Sequence, residues 1–547
     1  MKKTFILFFL IIFYCCKNNK TKLINNQSII FTSKKATTIS EKELQSWPIY
    51  DIEDDTIPGI SLANMKKLYL KNKKANPVTI ALLDTPVDIN HDGIKNNLWI
   101  NQKEIPNNGK DDDNNGYIDD INGWNFLGNS KGENIIFMNY EYTRILKQFE
   151  EIEVDNENLN IDRIKAKKAY NSRMVYAEES LKNAKFSDSI YYAIKNEVHN
   201  FLSEKELTHS KLDSISKLKS LKRPSEKSIN TYKLFLNEGV DDKFINELVL
   251  KAEKRINVLL NKKFNDREIL GDNPNNIRDI DYGNENISHN IDLIKHGTLM
   301  AGIIASNFGV EELDVIMKNI KIMPVCISGY GDENDKDIAL GIRYAVDNGA
   351  DVINISSSKS FSINQEWVID ALKYAETKNV LVITSSGNDG YNLDLNVNHI
   401  YPNDIIYPSH DEVVNNLLVV GASNFLFENN LVHHKTNYGQ NTVDIFAPGE
   451  QIYTTTAGNN DYTFTSGTSA ATAIASKSAA ILKSYFPKLK SSELKDVILK
   501  SGVKYNIPVQ ILDSVGNKKN ISFNEMSKSG RIINLKNAFE LATEMSY

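Results

Sequence analysis

Only three cysteines occur in the 547 residues, and two of them lie side by side near the N-terminus. Cys326 is the one thiol in the body of the chain, so it has no partner for an internal disulfide. We expect it to be a buried, unreactive thiol. A basic excess is missing too, because 64 Lys and Arg residues stand against 70 Asp and Glu residues, for a net charge of −6. This balance argues against nucleic acid as a partner, since such proteins need a strongly positive surface.

Long hydrophobic runs are scarce, and the longest lies at the N-terminus. Lys2 and Lys3 precede an apolar run over residues 5–14, which is shorter than the roughly 20 residues that cross a bilayer. The run stops at Cys15 and Cys16, which resembles a bacterial lipoprotein signal whose cysteine thiol carries the lipid. We predict a signal over the segment ending at Cys16, lipidation of that residue, and export to the cell envelope, on the periplasmic side or the cell surface. An ordinary secretory signal is the alternative.

The chain has enough apolar material for a large core, with 41% hydrophobic and 24% charged residues. After a polar linker at residues 17–46, short runs of strand-forming residues recur, the first at residues 78–83. Helix-like stretches such as residues 338–348 lie between them. Strands buried on both faces and alternating with helices indicate an α/β fold with a parallel sheet and right-handed crossovers. We predict that this domain occupies residues 47–130 and 289–547.

The segment between these two parts, residues 131–288, is dense in Lys and Glu. Apolar residues there repeat at spacings of three and four, as Tyr142, Ile145, Leu146 and Phe149 do, which places them on one face of a helix. We predict an inserted, charged bundle of three or more amphipathic helices. It could dock a partner, cover a cleft, or be a solvated addition, and the sequence leaves these alternatives open.

Three short segments carry residue types suited to catalysis. Asp84 ends the first strand-like run, at the position where open α/β sheets place their sites. His296 begins a helical run rich in small residues, and Ser469 stands at the start of another. Each signal is weak alone. Together, the order Asp, His, Ser is one of the known chain orders of a Ser-His-Asp triad.

These segments resemble the motifs of the subtilisin-like serine peptidases, the S8 or subtilase family. Asp84-Thr resembles the family's Asp-Thr-Gly, His296-Gly-Thr its His-Gly-Thr-His, and Thr468-Ser469 part of its Gly-Thr-Ser-Met-Ala. The resemblance implies a three-layer, parallel-sheet domain that hydrolyses peptide bonds through an acyl-enzyme. In that mechanism Ser469 is the nucleophile, His296 the general base and Asp84 the group that orients the base.

The resemblance implies further site residues. Ser386-Gly-Asn388-Asp resembles the family's oxyanion-hole segment, so the side-chain amide of Asn388 is expected to donate to the oxyanion. The segment that contains Asn354, Ser356 and Ser358 is expected to wall the substrate cleft, where an extended peptide would bind by strand addition.

The chain departs from the family motifs beside the reacting residues. Pro86 stands where the family has a glycine, and Leu299 where it has a second histidine. The residues after the serine differ as well, at Ala470, Thr472 and Ala473. Because the reacting residues are present, we expect these changes to alter efficiency and cleft shape. A catalytically weak or inactive binding protein with the same fold is the alternative.

An acidic loop follows the first segment and has the spacing of a cation site. Asp111, Asp113, Asn115 and Asp119 correspond to positions 1, 3, 5 and 9 of an EF-hand loop. The closing Glu of such a loop is absent, because Asn122 takes its place. We predict a structural calcium ion here, and a solvated acidic turn is the alternative.

We expect a monomer that acts on protein or peptide substrates and is held at a membrane by its N-terminal lipid. No catalytic cofactor is expected. Residues 17–47 are too few for a folded inhibitory prodomain, so we expect no large segment to be removed.

Overall fold

The computed structural model describes residues 39–71, 73–151, 157–202, 207–218, 223–406, 409, 411–513 and 516–546. The predicted signal, the predicted lipidation at Cys16 and most of the predicted linker lie outside these residues. Within the described part of the chain, no helix combines the length and the apolar character needed to cross a membrane.

Strands account for most of the apolar runs in the sequence. The described strands are β1 (Val78–Asp84), β2 (Trp124–Asn125), β3 (Ile320–Cys326), β4 (Val352–Ile355), β5 (Leu381–Ser385), β6 (Ile405–Ile406), β7 (Asp411–Glu412), β8 (Leu417–Ser423), β9 (Ile445–Pro448), β10 (Ile452–Thr455), β11 (Tyr462–Thr465), β12 (Val503–Lys504), β13 (Pro508–Leu512), β14 (Lys518–Ser522) and β15 (Arg531–Ile532).

Helices lie between most of these strands. They are α1 (Glu41–Ser46), α2 (Leu62–Tyr69), α3 (Glu141–Glu151), α4 (Glu157–Leu202), α5 (His209–Ser216), α6 (Glu226–Asn237), α7 (Asp242–Lys254), α8 (Arg267–Leu270), α9 (His296–Ala305), α10 (Asp314–Met317), α11 (Asp335–Asp347), α12 (Gln365–Thr377), α13 (Thr468–Tyr485), α14 (Ser491–Ser501) and α15 (Leu535–Met545). A π-helical turn at Arg255–Leu259 follows α7.

A nine-stranded sheet in the order β12-β15-β9-β8-β5-β4-β1-β3-β2 forms the centre of the molecule. Its neighbouring strands pair in parallel except at one edge, where β12 and β15 are antiparallel. The central strands β1, β4, β5 and β8 are buried along almost their whole length because helices cover both faces. One apolar core includes residues of α9 and α13, and the other includes residues of α11 and α12. The predicted α/β class with a parallel sheet is therefore confirmed.

Local sequence explains where several helices begin. The side chain of Asn334 accepts a hydrogen bond from the backbone N–H of Lys336 at the start of α11. The side chain of Asp241 accepts one from Phe244 at the start of α7. Such caps satisfy N–H groups that the first helical turn leaves without a partner.

Helices α3 to α8 all lie within residues 131–288, the segment whose periodicity predicts amphipathic helices. The longest, α4, has 46 residues and therefore extends over roughly 70 Å at about 1.5 Å per residue. The boundaries predicted for the insertion as a separate unit stay a prediction.

Buried ion pairs join these inserted helices to the sheet domain. The Arg267 guanidinium, 5% exposed, donates to both carboxylate oxygens of Asp337 at 2.7 and 2.9 Å and to Asp272 at 2.7 Å. The Lys359 ammonium lies 3.2 Å from a carboxylate oxygen of Glu141 and 2.8 Å from one of Asp335. Charges this deeply buried are stable only with their partners, so they fix how α3 and α8 sit on the sheet domain.

Candidate active site

Asp84 and His296 meet at the carboxyl edge of the sheet. Asp84 is the last residue of β1, His296 is the first of α9, and Oδ1 of the carboxylate lies 2.7 Å from Nδ1 of the imidazole. The Asp84 side chain is 1% exposed, whereas that of His296 is 36% exposed. The buried carboxylate therefore holds one edge of the ring while the ring itself stays partly open to solvent.

Opposing effects set the pKa of His296. Burial lowers it, because a charged imidazole loses hydration. The charge of Asp84 and its hydrogen bond raise it, and they outweigh the burial, so the pKa of His296 lies above its ordinary value of 6.5. The second carboxylate oxygen of Asp84 is buried without a hydrogen-bond partner, which leaves Oδ1 to make the contact.

The turn after β1 fixes the start of the histidine helix. The backbone N–H of Gly297 donates to the Thr85 hydroxyl at 2.7 Å, and the backbone N–H of Asp88 donates to the Thr298 hydroxyl at 2.9 Å. A Cβ atom on Gly297 would lie 2.1 Å from the Thr85 carbonyl oxygen, so only glycine allows this approach. These contacts hold His296 against Asp84.

Ser469 stands on the first turn of α13, after Gly467. The φ angle of Gly467 is +130°, a conformation that side chains rarely adopt, and it aims the chain into the helix. The hydroxyl of Ser469 donates to the backbone carbonyl of Ser356 at 2.7 Å. No hydrogen bond joins Ser469 to His296 among the described residues. Because Ser356 directly follows β4, which pairs with β1, the Ser469 hydroxyl lies at the same carboxyl edge of the sheet as Asp84.

Asn388 lies beside the same helix start. Its side-chain Oδ1 accepts the backbone N–H of Thr468 at 2.9 Å, which leaves its amide Nδ2 without a described protein partner. Asn388 is exposed. The amide is therefore placed next to the first turn of α13, where it can donate to a bound ligand.

The other residues predicted at the cleft occupy different positions. Asn354 is fully buried, where its Nδ2 donates to the Ser356 hydroxyl at 2.8 Å and its Oδ1 accepts from the Ser476 hydroxyl at 2.9 Å. The Ser356 hydroxyl in turn donates to the backbone carbonyl of Ser469 at 3.0 Å. The side chains of Asn354 and Ser356 thus face the serine helix, and their expected place in the wall of the substrate cleft stays a prediction. Because Ser476 lies two helical turns beyond Ser469, the sequence alone gave no sign of this chain of hydrogen bonds.

Ser358 lines a cavity of about 530 Å³ beside these loops. Asp389 and Tyr391, which follow Asn388, form part of its wall. The inserted helices form another part, and the residues they contribute are Tyr142, Ala169, Ser172, Arg173 and Tyr176. The sequence did not place the insertion at the site, because helical periodicity identifies a buried face and not the surface it covers.

Arg173 is the exposed cation of this cavity. Its guanidinium lies 5.5 Å from the ring centre of Tyr140 and 5.7 Å from that of Tyr176. It makes no ion pair within 4 Å among the described residues. Burial raises the pKa of Asp389 above its ordinary value, and the charge of Arg173 offsets part of this rise. The Arg173 side chain also interacts with Tyr142, and it lines the cavity where it can contact a charged group that enters.

The acidic loop brings together a different set of carboxylates from the predicted one. Oxygen atoms of Glu104, Asp111 and Asp113 all lie within 4.8 Å of one another. Glu104 is 6% exposed, and its Oε2 is buried without a hydrogen-bond partner. A buried carboxylate oxygen with no partner, next to two further carboxylates, is the donor set that calcium prefers.

The remaining predicted ligands of this loop point elsewhere. The Asp119 carboxylate accepts the backbone N–H groups of Asn108 and Gly109 at 3.1 and 2.9 Å. The Asn115 side chain accepts the N–H of Tyr117 and donates to Asp120. The predicted calcium site stays a prediction, and the carboxylates that converge in this loop are those of Glu104, Asp111 and Asp113.

Cys326 is buried at the end of β3, as the sequence predicts. Burial raises the pKa of its thiol, so the reactive thiolate is disfavoured.

Comparisons with known proteins agree with the motifs. A profile of the subtilase family, Peptidase_S8, matches residues 75–520. The cell wall-associated protease of Bacillus subtilis is 34% identical over 210 residues, which are 38% of this chain and 21% of that protein. The thermophilic serine proteinase of Bacillus sp. strain AK1 is 32% identical over 196 residues, which are 36% of this chain and 44% of that protein. The chain thus spans less than half the length of either relative.

A solved structure of the subtilase cytotoxin SubAB is 24% identical, with 47% of this chain and 79% of that chain covered and a TM-score of 0.38.

Proposed function

Because the chain belongs to the subtilase family, we propose that it is a serine endopeptidase acting through Ser469, His296 and Asp84. The observation that carries the proposal is the 2.7 Å contact between the His296 imidazole and the buried Asp84 carboxylate, at the sheet edge where α13 presents Ser469. A neutral hydroxyl is a poor nucleophile, so peptide hydrolysis needs a base beside it.

His296 supplies that base. Its Nδ1 is held by Asp84, which leaves Nε2 to take the proton from Ser469 and later to give it to the leaving amine. The Ser469 hydroxyl donates to the Ser356 carbonyl, so it must rotate to reach the imidazole. Catalytic hydrogen bonds are often loose before substrate binds, and α9, which carries His296, packs against α13, which carries Ser469.

The oxyanion of the tetrahedral intermediate needs donors aimed at it. We assign these to the amide Nδ2 of Asn388 and the backbone N–H of Ser469. Asn388 supports this role because its other side-chain atom, Oδ1, is already bound to the N–H of Thr468. That bond orients the amide towards the first turn of α13.

Labelling by a fluorophosphonate probe tests the proposal on the full chain. We expect the probe to label the protein once and labelling to disappear in Ser469→Ala. The matched control is Ser466→Ala, which removes an exposed hydroxyl three residues earlier and should keep the label. A folded protein that does not label would instead support the alternative, a binding protein that keeps the fold without turnover.

We also propose that the chain is exported and anchored by a lipid on Cys16, on the strength of the apolar run that ends there. In a bacterial host that processes lipoproteins, a fatty-acid label should enter the parent chain and the Cys15→Ser variant. It should not enter Cys16→Ser. Equal labelling of both variants would point to a different anchor. No labelling of the parent or of either variant would point to an ordinary secretory signal.

A calcium ion bound by Glu104, Asp111 and Asp113 is the cofactor we propose. The Glu104 carboxylate supports it, because Oε1 accepts the backbone N–H groups of Asp112 and Asp113 while Oε2 is buried without a partner. An unpartnered buried carboxylate oxygen is costly, and a cation would satisfy it. Such an ion would offset part of the negative charge of the loop and would take no part in the reaction.

A further inference from the structure

Two histidines and a glutamate lie close together near the segment that leads to Ser469. A ring nitrogen of His433, a ring nitrogen of His434 and a carboxylate oxygen of Glu450 all lie within 4.8 Å of one another. We propose that these three residues bind a divalent transition-metal ion, with Zn²⁺ as the best match. The inference does not depend on the proposed peptidase activity.

The donor set has the chemistry of a zinc site. Imidazole nitrogen and carboxylate oxygen are preferred ligands of Zn²⁺, whereas calcium and magnesium prefer oxygen ligands alone. Three protein ligands leave a fourth tetrahedral position for water. His434 is exposed and His433 is buried, so the group opens to solvent on one side.

The distance between His433 and Glu450 needs little adjustment. Nε2 of His433 lies 3.7 Å from Oε2 of Glu450, and two ligands of a tetrahedral zinc ion are about 3.4 Å apart for bond lengths near 2.1 Å. The two imidazole rings lie side by side, with centres 4.7 Å apart and planes inclined by 36°. Consecutive residues in a strand point to opposite faces, so a turn is needed to place both rings on one side. The hydrogen bond from the N–H of Thr436 to the carbonyl of His433 closes that turn.

Backbone contacts hold the ligands in place before any ion binds. The N–H of His433 donates to the Ala422 carbonyl at 3.0 Å, and the carbonyl of His434 accepts from Leu512 at 2.9 Å. The carbonyl of Glu450 accepts from the Trp47 indole at 3.1 Å. A ligand set fixed in this way loses little freedom on binding.

Each ring has a nitrogen available. The His434 ring makes no hydrogen bond among the described residues. In His433, Nδ1 accepts a long hydrogen bond of 3.3 Å from the backbone N–H of Lys435. Zinc on Nε2 places the proton on Nδ1, so this one weak contact is lost on binding.

The carboxylate connects the group to the reactive turn. Oε1 of Glu450 accepts from the Ser466 hydroxyl at 3.0 Å while Oε2 faces His433. The preceding residue, Gly449, accepts the N–H of Gly467 at 2.7 Å. A hydroxyl that orients a ligating carboxylate in this way strengthens metal binding.

Titration of Zn²⁺ into the full chain by calorimetry, in excess Ca²⁺ to saturate the acidic loop, tests the site. We expect one ion per chain, and at least 10-fold weaker binding in His434→Ala and in Glu450→Gln. Ser466→Ala should weaken binding by about 10-fold, as is usual for groups that orient a ligand. The rise in Tm with Zn²⁺ should shrink in the same order.

Two control variants separate this group from other histidines. His209→Ala removes an exposed imidazole on α5, and His296→Ala removes the one at the candidate active site. Both should bind Zn²⁺ as the parent does. The proposal fails if the parent binds no zinc, if His434→Ala and Glu450→Gln bind it equally well, or if His296→Ala alone abolishes binding.

Discussion

The hydroxyl of Ser469 donates a hydrogen bond to the backbone carbonyl of Ser356, with 2.7 Å between the two oxygens. The Ser356 hydroxyl returns a hydrogen bond to the carbonyl of Ser469 at 3.0 Å. This reciprocal pair fixes the first turn of α13 against the end of β4. It holds Ser469 next to Asn388. In the proposed mechanism the hydroxyl must then rotate towards His296.

The amide of Asn388 should matter for kcat more than for KM. In subtilisin, itself a member of this family, losing one oxyanion donor lowers kcat by about 10²–10³-fold. We expect the same range here for Asn388→Ala, with KM little changed, because the donor acts mainly on the charge of the transition state. Steady-state kinetics on a peptide substrate measure kcat and KM. Asn257→Ala, at an exposed asparagine of the insertion, should leave both constants unchanged. An equal loss of kcat in that variant would contradict a specific role for Asn388.

The pH profile should report the contact between Asp84 and His296. The reaction needs a neutral imidazole, so kcat/KM should fall as the pH drops through the raised pKa of His296. In Asp84→Asn the charge that raises this pKa is gone while the burial that lowers it remains. The acidic limb of the profile should therefore move to lower pH, even though the maximal rate falls. A limb that stays in place would mean that another group controls it.

Calcium should stabilise the fold through Glu104. Chelation should lower the free energy of unfolding, and calcium at 100 times its Kd should restore about 2.7 kcal/mol. The response should vanish in Glu104→Gln. It should persist in Asp119→Asn, because that carboxylate lies outside the group formed by Glu104, Asp111 and Asp113. Thermal unfolding with and without calcium measures both variants, and the opposite result would favour the EF-hand ligand set.

Arg267 should be essential to stability. Replacing it by Met leaves the carboxylate of Asp337 buried without the cation that binds both its oxygens, whereas Asp272 keeps its contact with Lys336 at 2.6 Å. Breaking such a buried pair costs about 3–5 kcal/mol. Lys185→Met provides the comparison, because its pair with Glu253 is 59% and 42% exposed and should be worth roughly 0–1 kcal/mol. Urea unfolding curves measure the difference. Similar midpoints for the two variants would show that the buried pair adds little.

Charge reversal at Arg173 should change selectivity. Arg173→Glu replaces the exposed cation of the cavity beside Ser358 with an anion. The ratio of kcat/KM for basic over acidic peptides should rise by about 10-fold or more, since two charges at 4 Å interact by several kcal/mol near a protein surface. Lys182→Glu makes the same change in charge at another exposed position of α4. Profiling with a peptide library should show a change in selectivity only for Arg173→Glu. Equal changes in both variants would show that selectivity responds to net charge in general.

Much of the site was predictable because its residues sit in short, local motifs. Asp84 ends an apolar run, and His296 and Ser469 start small-residue helices, so the sequence places all three at strand and helix ends. The hydrogen-bond partner of Asn354 was not predictable, since Ser476 lies on another element. Glu104 was missed for a related reason: it lies seven residues before Asp111, outside the spacing of a known loop.

The amino-acid sequence by itself determines which runs become strands and where helices start, because side-chain periodicity and helix caps act over a few residues. It also determines which family the motifs match. Which side chains end up touching is different. Only the packed molecule brings Arg173 of a distant insertion to the cavity beside Ser358, and sets His434 within reach of Glu450. These contacts depend on how whole helices and loops pack against the sheet, and no short segment of sequence determines that packing.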